Sequence, residues 1–213
     1  MLNRYFCIQS KYALLLIIMW QTLESADRWL FKLINSGLTN DAFDYIMPYL
    51  RNSNYWLPLY LFLLLFITLN FGKKGWWWCL FFICVVSLSD IISSRFFKYY
   101  FERIRPCNEI DMIDQVRLLV RCPGGYSFTS SHATNHFGMA AFFFFTFRHF
   151  LKHWAWLPFV WAFFVVYAQI YVGVHYPFDI IGGGILGASI AWVLASIFNK
   201  RFGLINFDNQ QKS

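Results

Sequence analysis

The sequence predicts an all-α integral membrane protein: a bundle of five to six transmembrane helices with its chemically capable loops at the outer face. Three observations predict it. Hydrophobic residues make up 58% of the 213-residue chain and charged ones only 14%, where a soluble domain carries about 25%. Apolar runs recur at close to spanning length. The basic residues, which leave a net charge of +7, fall in short clusters between those runs. A soluble domain could not hide this much apolar surface in a chain whose residues are 23% aromatic, and disorder is excluded on the same ground. The charge placement follows membrane topology rather than a nucleic-acid-binding stripe. No zinc spacing is present, and the scarcity of mid-span charges argues against a channel or ion transporter.

Five apolar runs, at residues 55–69, 76–97, 133–147, 154–174 and 178–198, read as spans. The first is short, the second is interrupted by Asp90 and Arg95, and the last carries only Asp179. The N-terminal stretch has two readings. Residues 5–20 form a marginal sixth span, or an amphipathic helix lies in the interface with Trp20, Trp29 and Phe31 toward lipid. It lacks the small-residue cleavage site of a signal peptide. The expected organisation is one membrane domain over residues 1–213. Residues 1–52 form the interfacial or marginal segment, 53–199 the helical core and 200–213 a cytoplasmic tail.

Lys73 and Lys74, Arg148 and Lys152, and Lys200 and Arg201 fall on one side of this topology, which the positive-inside rule makes cytoplasmic. The loop after Lys98 and the turn at His175 then share the outer side. Arg103, Arg105, Arg117 and Arg121 run against the rule there, and a ligand explains them better than topology does. Cys107 and Cys122 share this loop. In an oxidising compartment a disulfide would close about 15 residues, worth roughly 3 kcal/mol in the chain-entropy model; two free thiols are the alternative. Cys7, Cys79 and Cys84 read as apolar filler.

Three outer segments carry chemistry. Lys98 and Arg105 are seven residues apart, two helical turns, so both should project from one helix face until Pro106 ends it. A flexible cation and a forked one suit a phosphate, or simple snorkelling to lipid head groups. Ser130 and Ser131 precede an apolar run as N-cap residues, with His132 in the first turn, where a helix N-terminus favours an anion; an ordinary capped helix is the alternative. Pro177 opens the last helix with Asp179 in its first turn. A carboxylate four residues from His175 can fix the imidazole tautomer and leave its other nitrogen free to attack, or merely bond an interfacial histidine. Together the three segments supply cations, two helix N-termini and two histidines, the parts for phosphoryl transfer without a metal. Glu109, Asp111 and Asp114 are too closely neighboured by cations to suggest one.

In these residues the chain resembles the type 2 phosphatidic acid phosphatase superfamily. Lys98, six residues, then Arg105-Pro106 matches its first signature. Ser130-Ser131-His132 is similar to the second, usually Pro-Ser-Gly-His. Ala168-Gln169, five residues, His175, three residues and Asp179 resembles the third, usually Ser-Arg-x5-His-x3-Asp. The resemblance implies a bacterial inner-membrane enzyme, multi-pass, with its site facing the periplasm. It would need no cofactor and no metal, and its partners would be the bilayer and a lipid bearing phosphate or diphosphate, with no nucleic acid. Undecaprenyl diphosphate, lipid A phosphate, phosphatidylglycerol phosphate and phosphatidic acid are the substrates so implied.

It further implies that His175 is the nucleophile, Asp179 its orienting partner and His132 the proton donor. Lys98, Arg105, Ser130, Ser131 and the residue at 169 would hold phosphate. Asp90 is a supporting candidate, His136 is core or support, and Gly182, Gly183, Gly184 and Gly187 form a helix-packing face. Gln169 departs from the pattern: it is neutral where the family has arginine, and losing one such donor costs on the order of 10²–10³ in rate. The activity is then reduced, or the protein binds phospholipid without turnover, or it transfers the phosphoryl group to an acceptor other than water. Alternatively another cation substitutes, with Arg121 the nearest by loop logic.

Overall fold

The computed structural model describes residues 2–204, with side chains from residue 14 onward. Helix α1 (Leu2–Lys32) runs into a π-helical turn at Leu33–Gly37, and a short α2 (Asp41–Leu50) follows. Helix α3 (Leu57–Ile91) continues through a π-helical stretch, Ile92–Phe97, into α4 (Lys98–Phe101). After a long loop come α5 (Ser131–Leu151), α6 (Leu157–Tyr171) and α7 (Pro177–Arg201). There is no strand among the described residues.

Among the described residues, three continuous segments are long and apolar enough to cross a membrane: Ser53–Phe101, Ser131–Tyr171 and Pro177–Arg201. Two of them fold back on themselves. Helix α3 reverses at Gly72, whose φ of +52° suits a residue without Cβ. Its limbs then pack so closely that a Cβ on Gly75 would lie 2.3 Å from the Ile67 carbonyl oxygen. Cys79 Sγ donates to the Leu64 carbonyl across the same hairpin, at 3.7 Å. The second segment turns at residues 152–156, so that Phe144 of α5 meets Phe159 of α6. The five apolar runs of the sequence thus occupy the limbs of two helical hairpins and α7.

The core at one end of the bundle is aromatic. Trp78 stacks on Phe82, touches Phe142 and Phe147, and satisfies its indole N–H on Thr146 Oγ1 at 2.9 Å. Trp77 stacks on Phe202 at 4.5 Å, Phe71 meets Phe147, and Asn199 bonds the Phe145 carbonyl. These contacts gather the three basic clusters at one end. The loops after α4 and α6 lie at the other, because α5 and α7 both start there.

The N-terminal segment is built into the site end rather than lying beside the bundle. Residues 14–20 expose their apolar side chains, and Trp20 and Trp29 are 67% and 65% exposed. Phe31, expected to face lipid, is instead fully buried, edge-on to Tyr176 at 5.4 Å. One turn away, buried Asn35 donates to the Arg117 and Tyr171 carbonyls and accepts from the Arg117 N–H. The last turns of α1 therefore face inward. Most of the tail expected at residues 200–213 lies outside the described residues.

Helices α5 and α7 approach through glycine. A Cβ on Gly187 would sit 2.0 Å from the Thr134 carbonyl oxygen, and one on Gly183 would meet Ser130 O at 2.7 Å. Backbone on both sides cannot yield cheaply. Gly187→Ala should therefore cost about 1–3 kcal/mol, the usual range for overpacking. Thermal unfolding in detergent should show a clear drop in Tm, with Gly124→Ala, whose Cβ meets open space, unchanged. Equal Tm values for both variants would contradict this packing.

Candidate active site

The approach to the site begins where α4 ends. Glu102 takes a left-handed conformation (φ +46°) and the chain turns extended by Arg105. Lys98 and Arg105 therefore do not share a helix face as their spacing suggested, and Pro106 is not what stops the helix. Lys98 approaches from a helical turn and Arg105 from a loop. The Arg105 guanidinium is nearly buried and held at three points: Nε donates to the Gly125 carbonyl at 3.1 Å, and Nη1 to the Val174 carbonyl at 3.1 Å and to His175 Nε2 at 3.0 Å.

That last bond fixes a tautomer. Guanidinium only donates, so His175 Nε2 is the accepting, lone-pair nitrogen and Nδ1 carries the proton. Nδ1 faces Asp179 Oδ2 and Ser127 Oγ, each at 3.4 Å. Burial holds the imidazole well below its ordinary range, at about 4, against the pull of Asp179 and with repulsion from Arg105.

Asp179 is fully buried and well satisfied. It accepts from the Tyr176 N–H at 2.8 Å, Arg103 Nη1 at 2.8 Å and the Ser127 hydroxyl. Arg103 also donates to buried Asp27 at 2.5 Å, and Asp27 accepts the Phe178 N–H at 2.9 Å. A residue of α1 thus caps α7 and shares the arginine that neutralises Asp179. Arg103 lies over the Tyr176 ring at 4.3 Å.

Ser130 is extended and caps α5, accepting the Ala133 N–H at 3.4 Å while its own N–H donates to the Asp179 carbonyl at 3.1 Å. The start of α5 is thereby tied to the start of α7. Ser131 Oγ bonds Ser93 Oγ at 3.1 Å. The N–H groups of Ser131 and His132 are among the first of the helix and have no acceptor within it. His136 donates from Nδ1 to the His132 carbonyl at 2.8 Å and accepts the Tyr60 hydroxyl at 3.2 Å. It is buried, with its ring parallel to that of His132 at 6.1 Å.

Beside His132 opens a cavity of about 320 Å³ lined by Ser53, Asp90, Ser131, Asn135 and the apolar side chains of both α3 limbs. It shares Tyr60, Phe82 and Met139 with a larger, almost wholly apolar groove of about 580 Å³ that runs to Leu151 and Trp154 at the basic end. Asp90 is exposed and lines this cavity, with its charge acting on Lys98.

Gln169 is fully buried, and its partner is unexpected. Its Oε1 accepts Nε–H of Arg51 at 3.1 Å, and its Nε2 lies 3.4 Å from the Arg51 carbonyl as donor. Arg121, the substitute suggested by loop logic, is exposed. The four arginines between α4 and α5 are also less of a set than they looked. Arg117 makes a forked pair with Asp44 at 2.5 and 2.8 Å, a carboxylate that also takes the Tyr171 hydroxyl at 2.6 Å. Arg103 is committed to two carboxylates, and of the four only Arg105 reaches His175. Cys107 and Cys122 are joined in a disulfide two residues beyond Arg105, and Glu109 is engaged by Arg28 and Tyr176.

Sequence reasoning missed Asp27, Arg51 and Ser127. Asp27 and Arg51 come from the N-terminal segment, read as peripheral, and Ser127 stands outside any signature spacing. An acid embedded in a helix otherwise facing lipid was the available signal for Asp27.

Residues 75–203 match the family model of the PAP2 superfamily. The chain is 31% identical over 186 residues to a lipid A 4'-phosphatase of Bacteroides thetaiotaomicron, covering 85% of this chain and 81% of that one. It is 30% identical over 172 residues to an undecaprenyl-diphosphatase of Sulfolobus acidocaldarius, covering 79% and 76%. Its fold is similar to the crystal structure of a transmembrane PAP2-type phosphatidylglycerolphosphate phosphatase from Bacillus subtilis, with a TM-score of 0.64 and 22% identity over 84% of this chain and 88% of that one. The matched region holds Lys98, Arg105, Ser130, His132, His175 and Asp179, gathered at the end of the bundle where α5 and α7 start, and the chain belongs to the PAP2 superfamily.

Proposed function

We propose that this protein is a metal-independent phosphatase of a membrane lipid, working through a phosphohistidine at His175. One observation carries the reading. His175 presents an unprotonated Nε2 to a buried guanidinium, while its Nδ1–H faces a carboxylate. An anion drawn to Arg105 therefore meets a nucleophilic lone pair already in the correct tautomer. Lys98, Arg105, the Ser130 hydroxyl and the first N–H groups of α5 would hold the phosphoryl oxygens. The groups that would hold the phosphoryl oxygens are cations and neutral donors, a set that attracts phosphate.

In the first step the Nε2 lone pair forms a bond to phosphorus as the P–O bond to the lipid breaks. The departing oxygen takes a proton from His132, whose charged form a bound phosphoryl group favours. Water then attacks phosphorus and gives a proton to His132. The P–N bond breaks, releasing orthophosphate and restoring His175. Asp179 stabilises the imidazolium-like charge that develops on His175, and Arg103 keeps Asp179 ionised and in place.

The apolar groove that adjoins the cavity beside His132 supports a lipid substrate, since an acyl or prenyl chain can lie along it while the phosphate stays at the His132 end. Among substrates we place a lipid A-type phosphate monoester first and undecaprenyl diphosphate second, following the identity and coverage of the relatives. The reading places the protein in a bacterial inner membrane as a single multi-pass domain with the site toward the periplasm.

Purified protein in detergent with EDTA should release phosphate from lipid A, and less readily from undecaprenyl diphosphate. His175→Ala should lower the rate at least about 10³-fold, as expected when a nucleophile is removed. Loss of release with EDTA, or turnover surviving in His175→Ala, would contradict the mechanism. A pH prediction follows from the same histidine. In the unfolded chain it titrates near 6.5 and in the folded protein at about 4. Between these values the unfolded chain binds more protons. The stabilisation from neutral His175 is therefore complete above about pH 6.5 and falls away as pH drops toward 4, by up to about 1.4 kcal/mol per pH unit. Unfolding measured from pH 4 to 8 should show this slope in the parent and a shallower one in His175→Gln; parallel curves would contradict it.

A further inference from the structure

We propose that Arg51, supplied by α2 and clamped by Gln169, is a third phosphate-binding cation of this site. The inference rests on the phosphatase reading above for its substrate, but its geometry stands alone. Arg51 is the C-cap residue of α2, its own N–H bonded to the Met47 carbonyl at 3.1 Å. Asn40 caps the start of this helix, and Asp44 pins it to Arg117 of the outer loop and to Tyr171 at the end of α6. The position of Arg51 is therefore set at both ends of a rigid element. Gln169 completes the setting: its carbonyl oxygen takes Nε–H and its amide nitrogen faces the Arg51 backbone oxygen. A neutral amide does this better than a second cation would.

Two features point the guanidinium at a ligand. First, it lacks a counter-charge. Burial disfavours its charged form, and among the described residues no carboxylate pairs with it. Arg103 and Arg117, by contrast, each reach a carboxylate. With Nε spent on Gln169, the two Nη groups remain for a ligand, and two such groups form the fork that matches a phosphoryl group. Second, it sits among the site's own charges. It repels Arg105, and it acts on His132 together with Lys98. Ser53, two residues on, lines the cavity that His132 opens into. Three cations placed around two histidines repel one another, and an oxyanion between them removes that repulsion.

This arrangement also accounts for the neutral residue at 169. The charge that a third-signature arginine would carry is delivered from an element before the core, and Gln169 holds it rather than replacing it.

The test compares the parent with Arg51→Gln, Arg51→Lys and the exchange Arg51→Gln/Gln169→Arg. Binding of inorganic phosphate by calorimetry and phosphate release from lipid A are both read, with Tm measured for each variant. Arg51→Gln should weaken phosphate binding about 10-fold or more and lower kcat/KM by about 10²–10³-fold, the size expected for one oxyanion donor, at a Tm close to the parent's. Arg51→Lys should keep part of both, and the exchange should recover at least 10-fold of the rate. Unchanged phosphate binding in Arg51→Gln would overturn the proposal. So would a loss in Arg51→Gln and Arg51→Lys that tracks a collapse in Tm and that the exchange does not recover. A parent that binds phosphate through Arg51 but releases none from any lipid would sink the phosphatase reading and leave this assignment standing.

Discussion

The buried carboxylate of Asp179 is the constraint on which the site depends. Placing an ionised carboxylate in a dry helix start is costly unless its lone pairs are filled by good donors. Here they are filled by Arg103, the Ser127 hydroxyl and the Tyr176 N–H, with the protonated Nδ1 of His175 alongside. Each donor fixes a different piece of chain. Arg103 brings the loop after α4 and, through Asp27, the end of α1. Ser127 brings the segment leading into α5, and the Asp179 carbonyl receives the N–H of the α5 cap, Ser130. Elements far apart in sequence are thus registered on one residue, and that residue faces the Nδ1–H of the tautomer that Arg105 fixes on His175.

Around this anchor the balance of charge runs the other way. Arg103 and Arg117 are consumed by carboxylates, whereas Arg105 bonds His175 and neither it nor Arg51 forms an ion pair among the described residues, with Lys98 nearby. Such a cluster is worth little as folding energy, because its members repel and are desolvated. It makes sense as a preorganised receptor for negative charge, where fixed donors in a water-poor site act more strongly than they would in water. The glycine contact between α5 and α7 serves the same end. It lets the two helix starts bearing His132 and Asp179 come close, at a spacing side chains would forbid.

Much of this was legible in the sequence, and the reasons are physical. Apolar runs must be helices in lipid, so the five runs appear as helical limbs, and the break at Gly72 falls before the lysine pair that marked a loop. The signature residues lie in helix starts and short loops, where spacing predicts position, and so His175 and Asp179 are found together as expected. Where long-range contacts decide, sequence spacing failed. Glu102 turns the chain left-handed, so the shared face proposed for Lys98 and Arg105 does not exist. The bond between Arg51 and Gln169 joins residues 118 apart. Nothing local distinguishes such an arginine from one at a membrane interface. Phe31 was misjudged because core and lipid select the same side chains, and only the packing of α1 against Tyr176 separates the two.

The most direct test of the account is a structure of the protein with orthovanadate, which takes the geometry of a phosphoryl group in transfer. The account predicts vanadium bonded to His175 Nε2, its oxygens on Arg105, Lys98 and the first N–H groups of α5, and His132 on the opposite side. Vanadate bound elsewhere, with His175 Nε2 still held by Arg105, would contradict it.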